Sequence, residues 1–156
     1  MAAGALSALC VECGLCCDGS LFRFVPAEPA ELEVWAALGL PIVTQAGRPA
    51  MALPCRRLEQ RCCTVYAQRP SGCRGFVCHL GRQLEEGAVS FPRALDLVRE
   101  AQRRIEVLRR VWPLEGALVQ TATSLALAGK SPSREATEAL QDVQAWLDAY
   151  LHWPQT

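Results

Sequence analysis

The sequence has no long apolar run, no net charge and few histidines, and each lack excludes a class of protein. The 16 Lys and Arg residues balance the 16 Asp and Glu residues, so no overall charge would recruit nucleic acid or an anionic membrane. Every apolar run is far shorter than the roughly 18 to 20 residues that span a bilayer. We therefore expect neither a nucleic-acid partner nor a membrane partner, and the 51% of hydrophobic residues are enough for a folded core.

Common catalytic signatures are also missing. The sequence contains no GxSxG, HExxH, P-loop or GxGxxG motif. It has only two histidines, so few residues could form a histidine-based acid–base pair. We assign no catalytic residue. Whether the chain is an enzyme stays open, with a non-enzymatic role favoured.

Cysteine, in contrast, is abundant. Nine cysteines lie between Cys10 and Cys78, and none follows. The start of the chain lacks the basic segment and the cleavage site of a secretory signal, so we expect a cytoplasmic protein. In a reducing cytoplasm, clustered cysteines bind metal or do redox work more often than they form disulfides. Metal binding is therefore the leading hypothesis.

The cysteines divide the chain into two parts. Residues 1–82 are rich in Cys, Pro, Gly and Arg and show little periodicity, which predicts loops and short elements held by metal. One helix is predicted within them at about 29–38. Residues 83–156 show helical spacing instead. The expected fold is mainly α, with an irregular cysteine-rich metal-binding half packed on a small C-terminal helical bundle as a single domain.

About three helices are predicted in residues 83–156. Apolar residues recur at steps of three and four from Phe91, which predicts an amphipathic helix that Pro113 ends. The same spacing continues from Leu114 to a stop at Gly129, which predicts a second helix. Ser131, which precedes a proline, is predicted to cap the third. The apolar stripe of that helix is Ala136, Leu140, Val143, Leu147 and Tyr150.

The first cysteine cluster reads CVECGLCC and contains Cys10, Cys13, Cys16 and Cys17. A CxxC spacing lets two sulfurs converge on one ion at about 2.3 Å, and Gly14 supplies the permissive backbone of a tight turn. Because Cys16 and Cys17 are neighbours, their side chains project differently and need not serve the same ion. The array indicates two metal sites, or one site and a spare thiol.

The second cluster is more widely spaced. Its members are Cys55, Cys62, Cys63, Cys73 and Cys78. Alone, such spacings suit a metal site, a redox pair or buried small side chains. Together with the first cluster, they give enough thiols for two four-coordinate sites with one left over, for which Cys62 is the candidate.

Three motifs, CVECGLCC, PCRRL and CTVYAQRPSGCRGFVC, follow one another between residues 10 and 78. In this order they resemble the YkgJ-type CxxCxxCC cysteine-cluster family, whose members are described as zinc- or iron-chelating proteins. The resemblance implies metal chelation. A structural or accessory role, with zinc favoured over iron as the cofactor, is our own expectation. The implied metal ligands are Cys10, Cys13, Cys16, Cys17, Cys55, Cys63, Cys73 and Cys78. Cys62 has no counterpart in the family pattern, and the helical half carries no family motif.

Two other interpretations of the cysteines stay open. One is an iron–sulfur protein with redox or enzymatic activity, whose [4Fe–4S] cluster would be held by a CxxCxxC run and a distant cysteine. Its four ligands would be Cys10, Cys13, Cys16 and Cys55. The other is a thiol–disulfide protein that uses Cys16 with Cys17 or Cys62 with Cys63. Neighbouring cysteines seldom form unstrained disulfides, so this interpretation ranks last.

Residues beside the cysteines are candidates to support a metal site. Four thiolates around a divalent ion leave a net charge of about −2, which favours nearby cations and N–H donors. Arg56, Arg69 and Arg74 are the candidate cations. His79 is a candidate replacement for one thiolate, although an exposed imidazole is the favoured interpretation. The helical half would cover the site and offer a surface to an unidentified protein partner.

Overall fold

Helices make up most of the structure, a computed structural model that describes residues 2–154. It is 54% helical, which confirms the expectation of a mainly α fold. The α-helices of this range are α1 (Ala2–Cys13), α2 (Leu32–Ala37), α3 (Ser71–Arg74), α4 (His79–Glu85), α5 (Phe91–Val111), α6 (Leu118–Leu127) and α7 (Arg134–Tyr150). The strands are β1 (Phe24–Pro26), β2 (Ile42–Gln45), β3 (Arg48–Ala52), β4 (Leu58–Glu59) and β5 (Cys62–Cys63).

The longest helix, α5, forms as its sequence predicts. The hydroxyl of Ser90 accepts a hydrogen bond from the backbone N–H of Arg93 (3.4 Å) and caps the start of the helix. Its buried face consists of Ala94, Leu97, Val98, Ala101, Ile105 and Leu108. The helix ends at Val111, just before the proline that was predicted to stop it. Neither α5 nor any other helix within residues 2–154 is long and apolar enough to cross a membrane.

The second helix of this half, α6, begins later than the spacing predicts. Its first residue is Leu118 instead of Leu114. Pro113 has no N–H to donate, and Gly116 adopts a φ of 76°, which lies outside the helical region. The apolar spacing therefore runs across a turn before the helix starts. The predicted stop holds, because α6 ends before Gly129.

The cap of α7 also differs from the prediction. The hydroxyl of Ser133, not that of Ser131, accepts a hydrogen bond from the N–H of Ala136 (3.0 Å). Ser131 lies two residues too early to reach this N–H, and its hydroxyl instead contacts the Thr137 hydroxyl (2.7 Å). The predicted stripe is confirmed as the buried face of the helix at Ala136, Leu140, Val143 and Leu147, whereas Tyr150 is half-buried.

The cysteine-rich half is more regular than predicted. The helix predicted at about 29–38 is present as a 3₁₀ turn, Pro29–Glu31, followed by α2. Both α1 and an antiparallel sheet with the strand order β1-β3-β2 were missed. In this sheet Phe24 lies opposite Ala52, and Ile42 lies opposite Met51. A second, two-stranded sheet is the β4–β5 hairpin.

The buried side chains form two apolar clusters. The first, which we call the helical core, draws on α1, α4, α5, α6 and α7 and includes Leu9, Leu80, Val98, Leu108 and Leu147. The second, which we call the sheet core, joins α2 to the three-stranded sheet and consists of Ala27, Trp35, Leu40, Met51 and Leu53. Phe22 packs against both clusters. The helical core contains residues from both sides of the predicted boundary at residue 82.

Candidate functional site

A cavity of about 410 Å³ is lined by side chains of both cores. All eight cysteines expected as ligands line it: Cys10, Cys13, Cys16, Cys17, Cys55, Cys63, Cys73 and Cys78. The ninth cysteine, Cys62, is exposed on β5 and is not among the lining residues. Most of the remaining lining is apolar, with Leu9 and Leu80 from the helical core and Met51 and Leu53 from the sheet core. The fold thus gathers cysteines that are far apart in the sequence.

The first CxxC segment is helical and is not the tight turn that its spacing suggested. Cys10 and Cys13 both lie in the last turn of α1, and a separation of three residues puts them on one face of the helix. Gly14 then ends the helix with a φ of 66°, and its N–H donates to the carbonyl of Cys10 (3.1 Å). The next turn, in which the N–H of Cys17 donates to the carbonyl of Gly14 (3.0 Å), carries Cys16 and Cys17 to the cavity.

Cys78 reaches the cavity at the start of α4. Its sulfur caps this helix by accepting a hydrogen bond from the N–H of Gly81 (3.3 Å). Because α4 packs against α1, the capping sulfur faces the same cavity as the cysteines of α1. Cys13 is buried in the helical core, and Cys16 and Cys78 pack against that core.

The other cysteines reach the cavity from the sheet side. The N–H of Cys55 donates to the carbonyl of Cys17 (2.8 Å), which ties the segment after β3 to the turn after α1. In the β4–β5 hairpin, Cys63 pairs with Leu58, whose N–H donates to the carbonyl of Cys55 (3.2 Å). Cys73 lies in α3, and both Cys55 and Cys73 pack against the sheet core.

Burial raises the pKa of several thiols that line the cavity. The pKa of Cys10 and that of Cys73 rise to about 11, and the pKa of Cys17 rises to about 12. Burial raises the pKa of Cys13 and of Cys16 well above the ordinary value of 9.0. Without metal these thiols are therefore protonated and neutral at pH 7.

Mutual repulsion adds to the effect of burial and identifies neighbouring sulfurs. Charge on Cys78 further raises the pKa of Cys10, Cys13 and Cys16. Charges on Cys55, Cys63 and Cys73 further raise the pKa of Cys17. We call Cys10, Cys13, Cys16 and Cys78 the first thiol set, and Cys17, Cys55, Cys63 and Cys73 the second thiol set.

Positive charge and N–H donors lie beside the thiols, although not all where they were expected. Arg69, held over the Tyr66 ring at 3.6 Å, counteracts the rise in the pKa of Cys10 and Cys73. The N–H of Arg57 donates to the sulfur of Cys55 (3.4 Å).

Arg57 therefore occupies the place that the sequence suggested for Arg56, which is exposed. The side chain of Arg57 is fixed by a hydrogen bond from its Nε to the carbonyl of Leu38 (2.6 Å). Arg74 turns instead to Glu31, with 4.0 Å between Nη2 and Oε1. Tertiary contacts alone distinguish Arg57 from Arg56, and such contacts leave no local signal by which Arg57 could have been selected.

His79 does not join the cysteines. Its ring packs edge-on against Trp153 with 5.4 Å between the ring centroids, and it is not among the residues that line the cavity. Its Nδ1 atom is buried without a hydrogen-bond partner in the described part of the chain. His79 thus packs against the C-terminal segment, and it is half-buried, unlike the exposed imidazole that the sequence favoured.

The four cysteines suggested as ligands of a single [4Fe–4S] cluster all line the cavity, but they reach it from different sides. Cys10, Cys13 and Cys16 have Cys78 as their neighbour, whereas Cys55 is tied to Cys17 on the sheet side. Within residues 2–154, no three His, Cys, Asp or Glu side chains are arranged so that they could hold a metal ion as they stand.

Compared with family models, with curated proteins and with solved structures, the chain gives no match in any of the three. What the cavity can do must therefore follow from its own donors and their surroundings. The donors are thiols, the surroundings are mostly apolar, and the charged groups beside them include Arg69 and the carboxylates of Asp18, Glu31 and Glu85. Thiolates in such surroundings suit zinc, copper(I) or iron–sulfur clusters.

Proposed function

We propose that the chain is a metal-binding protein that chelates zinc or iron through the eight cysteines of the cavity. Its role is structural or accessory, and the metal stabilises the cysteine-rich half. The observation that carries the proposal is that eight of the nine cysteines, from separate segments of the chain, line one mostly apolar cavity. Buried free cysteines occur singly in many cores, but convergence of eight is expected only where sulfur chemistry is required.

The surroundings of the sulfurs fit a negatively charged metal–thiolate group. Four thiolates around a divalent ion carry about two negative charges, which need nearby cations and N–H donors. Arg69 supplies a cation beside both thiol sets. Backbone N–H groups already point at the sulfurs of Cys55 and Cys78. Because the thiols are protonated without metal, binding would release protons and become weaker as the pH falls.

The proposal includes the likeness to the YkgJ-type family and a cytoplasmic location. Thiols that serve as metal ligands need a reducing compartment to stay free of disulfides. All nine cysteines are free in the structure, which is compatible with this requirement. An unidentified protein partner remains part of the proposal, with the helical half as its docking surface.

The second candidate function is an iron–sulfur protein with redox or enzymatic activity. It is favoured by the apolar lining and by the volume of the cavity, about 410 Å³, because clusters are held by thiolates and shielded from water. The two functions differ in their metal. Zinc is colourless and gives no acid-labile sulfide, whereas a cluster gives iron, sulfide and visible absorbance.

The test is elemental analysis and an absorption spectrum of one batch purified anaerobically without chelator or added metal. Zinc without visible absorbance supports the first function, and iron with sulfide supports the second. The matched variants are Cys13→Ser, expected to lose metal, and Cys62→Ser, expected to keep all of it because Cys62 lies outside the cavity. A chain without bound metal, or equal metal loss in both variants, would contradict the proposal.

A further inference from the structure

We propose that the cavity holds two separate metal centres, one bound by the first thiol set and the other by the second. The inference rests on the proposed function and specifies it. The first centre would connect the end of α1 to the start of α4. The second would connect the turn after α1 to the hairpin and α3.

Packing separates the cysteines in this way. The helical core contains Cys13 and is contacted by Cys16 and Cys78, all of the first set. The sheet core is contacted by Cys55 and Cys73, both of the second set. Because the members of each set that pack on a core all pack on the same one, they can approach one another without crossing the cavity.

Backbone contacts divide the cysteines along the same line. The packing of α1 on α4 brings Cys10 and Cys13 to Cys78. The hydrogen bond from Cys55 N–H to the Cys17 carbonyl, and the pairing of Leu58 with Cys63, connect members of the second set. Each of these contacts joins cysteines of the same set, and α1 packs more extensively on α4 than on the β5 strand that carries Cys63.

The adjacent pair Cys16 and Cys17 is where the two sets meet. Side chains of neighbouring residues project in different directions, so one chain segment can serve two centres. In the structure Cys16 packs on the helical core, while the backbone carbonyl of Cys17 accepts the hydrogen bond from the sheet side. Two centres with four sulfurs each use every cysteine of the cavity and leave none over.

The test compares metal content per chain in the wild type, Cys78→Ser and Cys73→Ser, with Cys62→Ser as the matched control. Each protein is purified anaerobically without chelator, and its zinc, iron and acid-labile sulfide are measured. We expect a twofold loss in each of the first two variants, an additive loss to background in the double variant, and no loss in the control. Alkylation of Cys73→Ser should modify Cys17, Cys55 and Cys63 and spare the first set.

The wild-type chain provides a second test that does not depend on the folding of a variant. Metal is withdrawn stepwise with EDTA, free thiols are alkylated, and the chains are analysed by mass spectrometry. We expect chains with eight, four and no protected cysteines, and each four-protected chain should carry one complete set. Direct passage from eight to none, or protected groups that mix the sets, would overturn the two centres. A wild-type chain that contains no metal would overturn both this inference and the proposed function. A wild-type chain that contains a single metal centre would overturn this inference only.

Discussion

Replacing Gly14 by alanine should test how the end of α1 meets the hairpin that carries Cys63. The φ of Gly14 is 66°, and an L-residue in this left-handed region costs about 1 to 2 kcal/mol. A Cβ atom at this position would lie 3.1 Å from the carbonyl oxygen of Arg61 and 3.2 Å from its Cβ. Forcing the hairpin tip away should add about 1 kcal/mol or more. We therefore expect Gly14→Ala to lower the free energy of unfolding by about 2 to 3 kcal/mol.

The matched control is Gly87→Ala. Gly87 has a φ of 73°, but a Cβ there would meet no atom within 4 Å, so only the backbone cost of about 1 to 2 kcal/mol applies. Both variants are compared with the wild type by urea denaturation of the protein as purified, under reducing conditions, with tryptophan fluorescence as the signal. Metal content is measured in parallel and should fall in Gly14→Ala only, because the displaced hairpin carries Cys63. Equal destabilisation and equal metal content in the two variants would refute the contact between Gly14 and Arg61.

Three other predictions concern stability. Leu108→Ala should cost about 2 to 5 kcal/mol in urea denaturation because Leu108 is completely buried, and a loss below about 1 kcal/mol would contradict its place in the helical core. Ser133→Ala should lower the free energy of unfolding by about 1 kcal/mol because it removes the cap of α7, whereas Ser131→Ala should change it by no more than about 0.5 kcal/mol. A larger loss in Ser131→Ala than in Ser133→Ala would indicate that Ser131 is the cap, as the sequence predicted. In the metal-free chain, folding raises the pKa of Cys73 from 9.0 to about 11 and that of Cys17 to about 12. The contribution of these thiols to the free energy of unfolding should therefore be fully present below pH 9 and be lost as the pH rises through these values. A free energy of unfolding that stays constant above pH 9 in a series of denaturation curves would show that these thiols are not buried.

The helices that the sequence predicts well are those with a one-sided apolar stripe. Helices α5 and α7 each bury one face on the helical core, and the spacing of that face is visible in the sequence. Helix α1 has no such signal, because its sequence is apolar on nearly all sides. Its CxxC spacing suggested a turn, but a separation of three residues also fits one turn of helix.

The membership of the candidate site could be predicted, but its internal grouping could not. Spacing and resemblance named the eight cysteines and set Cys62 apart, and these eight are the ones that line the cavity. The neighbour of Cys10 and Cys13 is Cys78, which approaches through the packing of α4 on α1. Such a contact depends on tertiary structure and leaves no local pattern. The strands that position Cys55 are only three to five residues long, too short to show a reliable alternation.

Under the proposed function, the double cysteine at the end of CxxCxxCC has a physical explanation. A helical CxxC segment presents its sulfurs on one face, and the packing of α1 on α4 places Cys10 and Cys13 beside Cys78. A second centre on the sheet side needs a sulfur that projects the other way, and Cys17 is adjacent to Cys16 in sequence but tied to Cys55 by its backbone. Insertion of one residue between Cys16 and Cys17 should therefore disturb both centres. The control is insertion of one residue at Gly47, which lies in an exposed turn where a Cβ would meet no atom within 4 Å, and it should disturb neither centre. Metal content per chain distinguishes the two insertions, and equal loss in both would contradict this explanation.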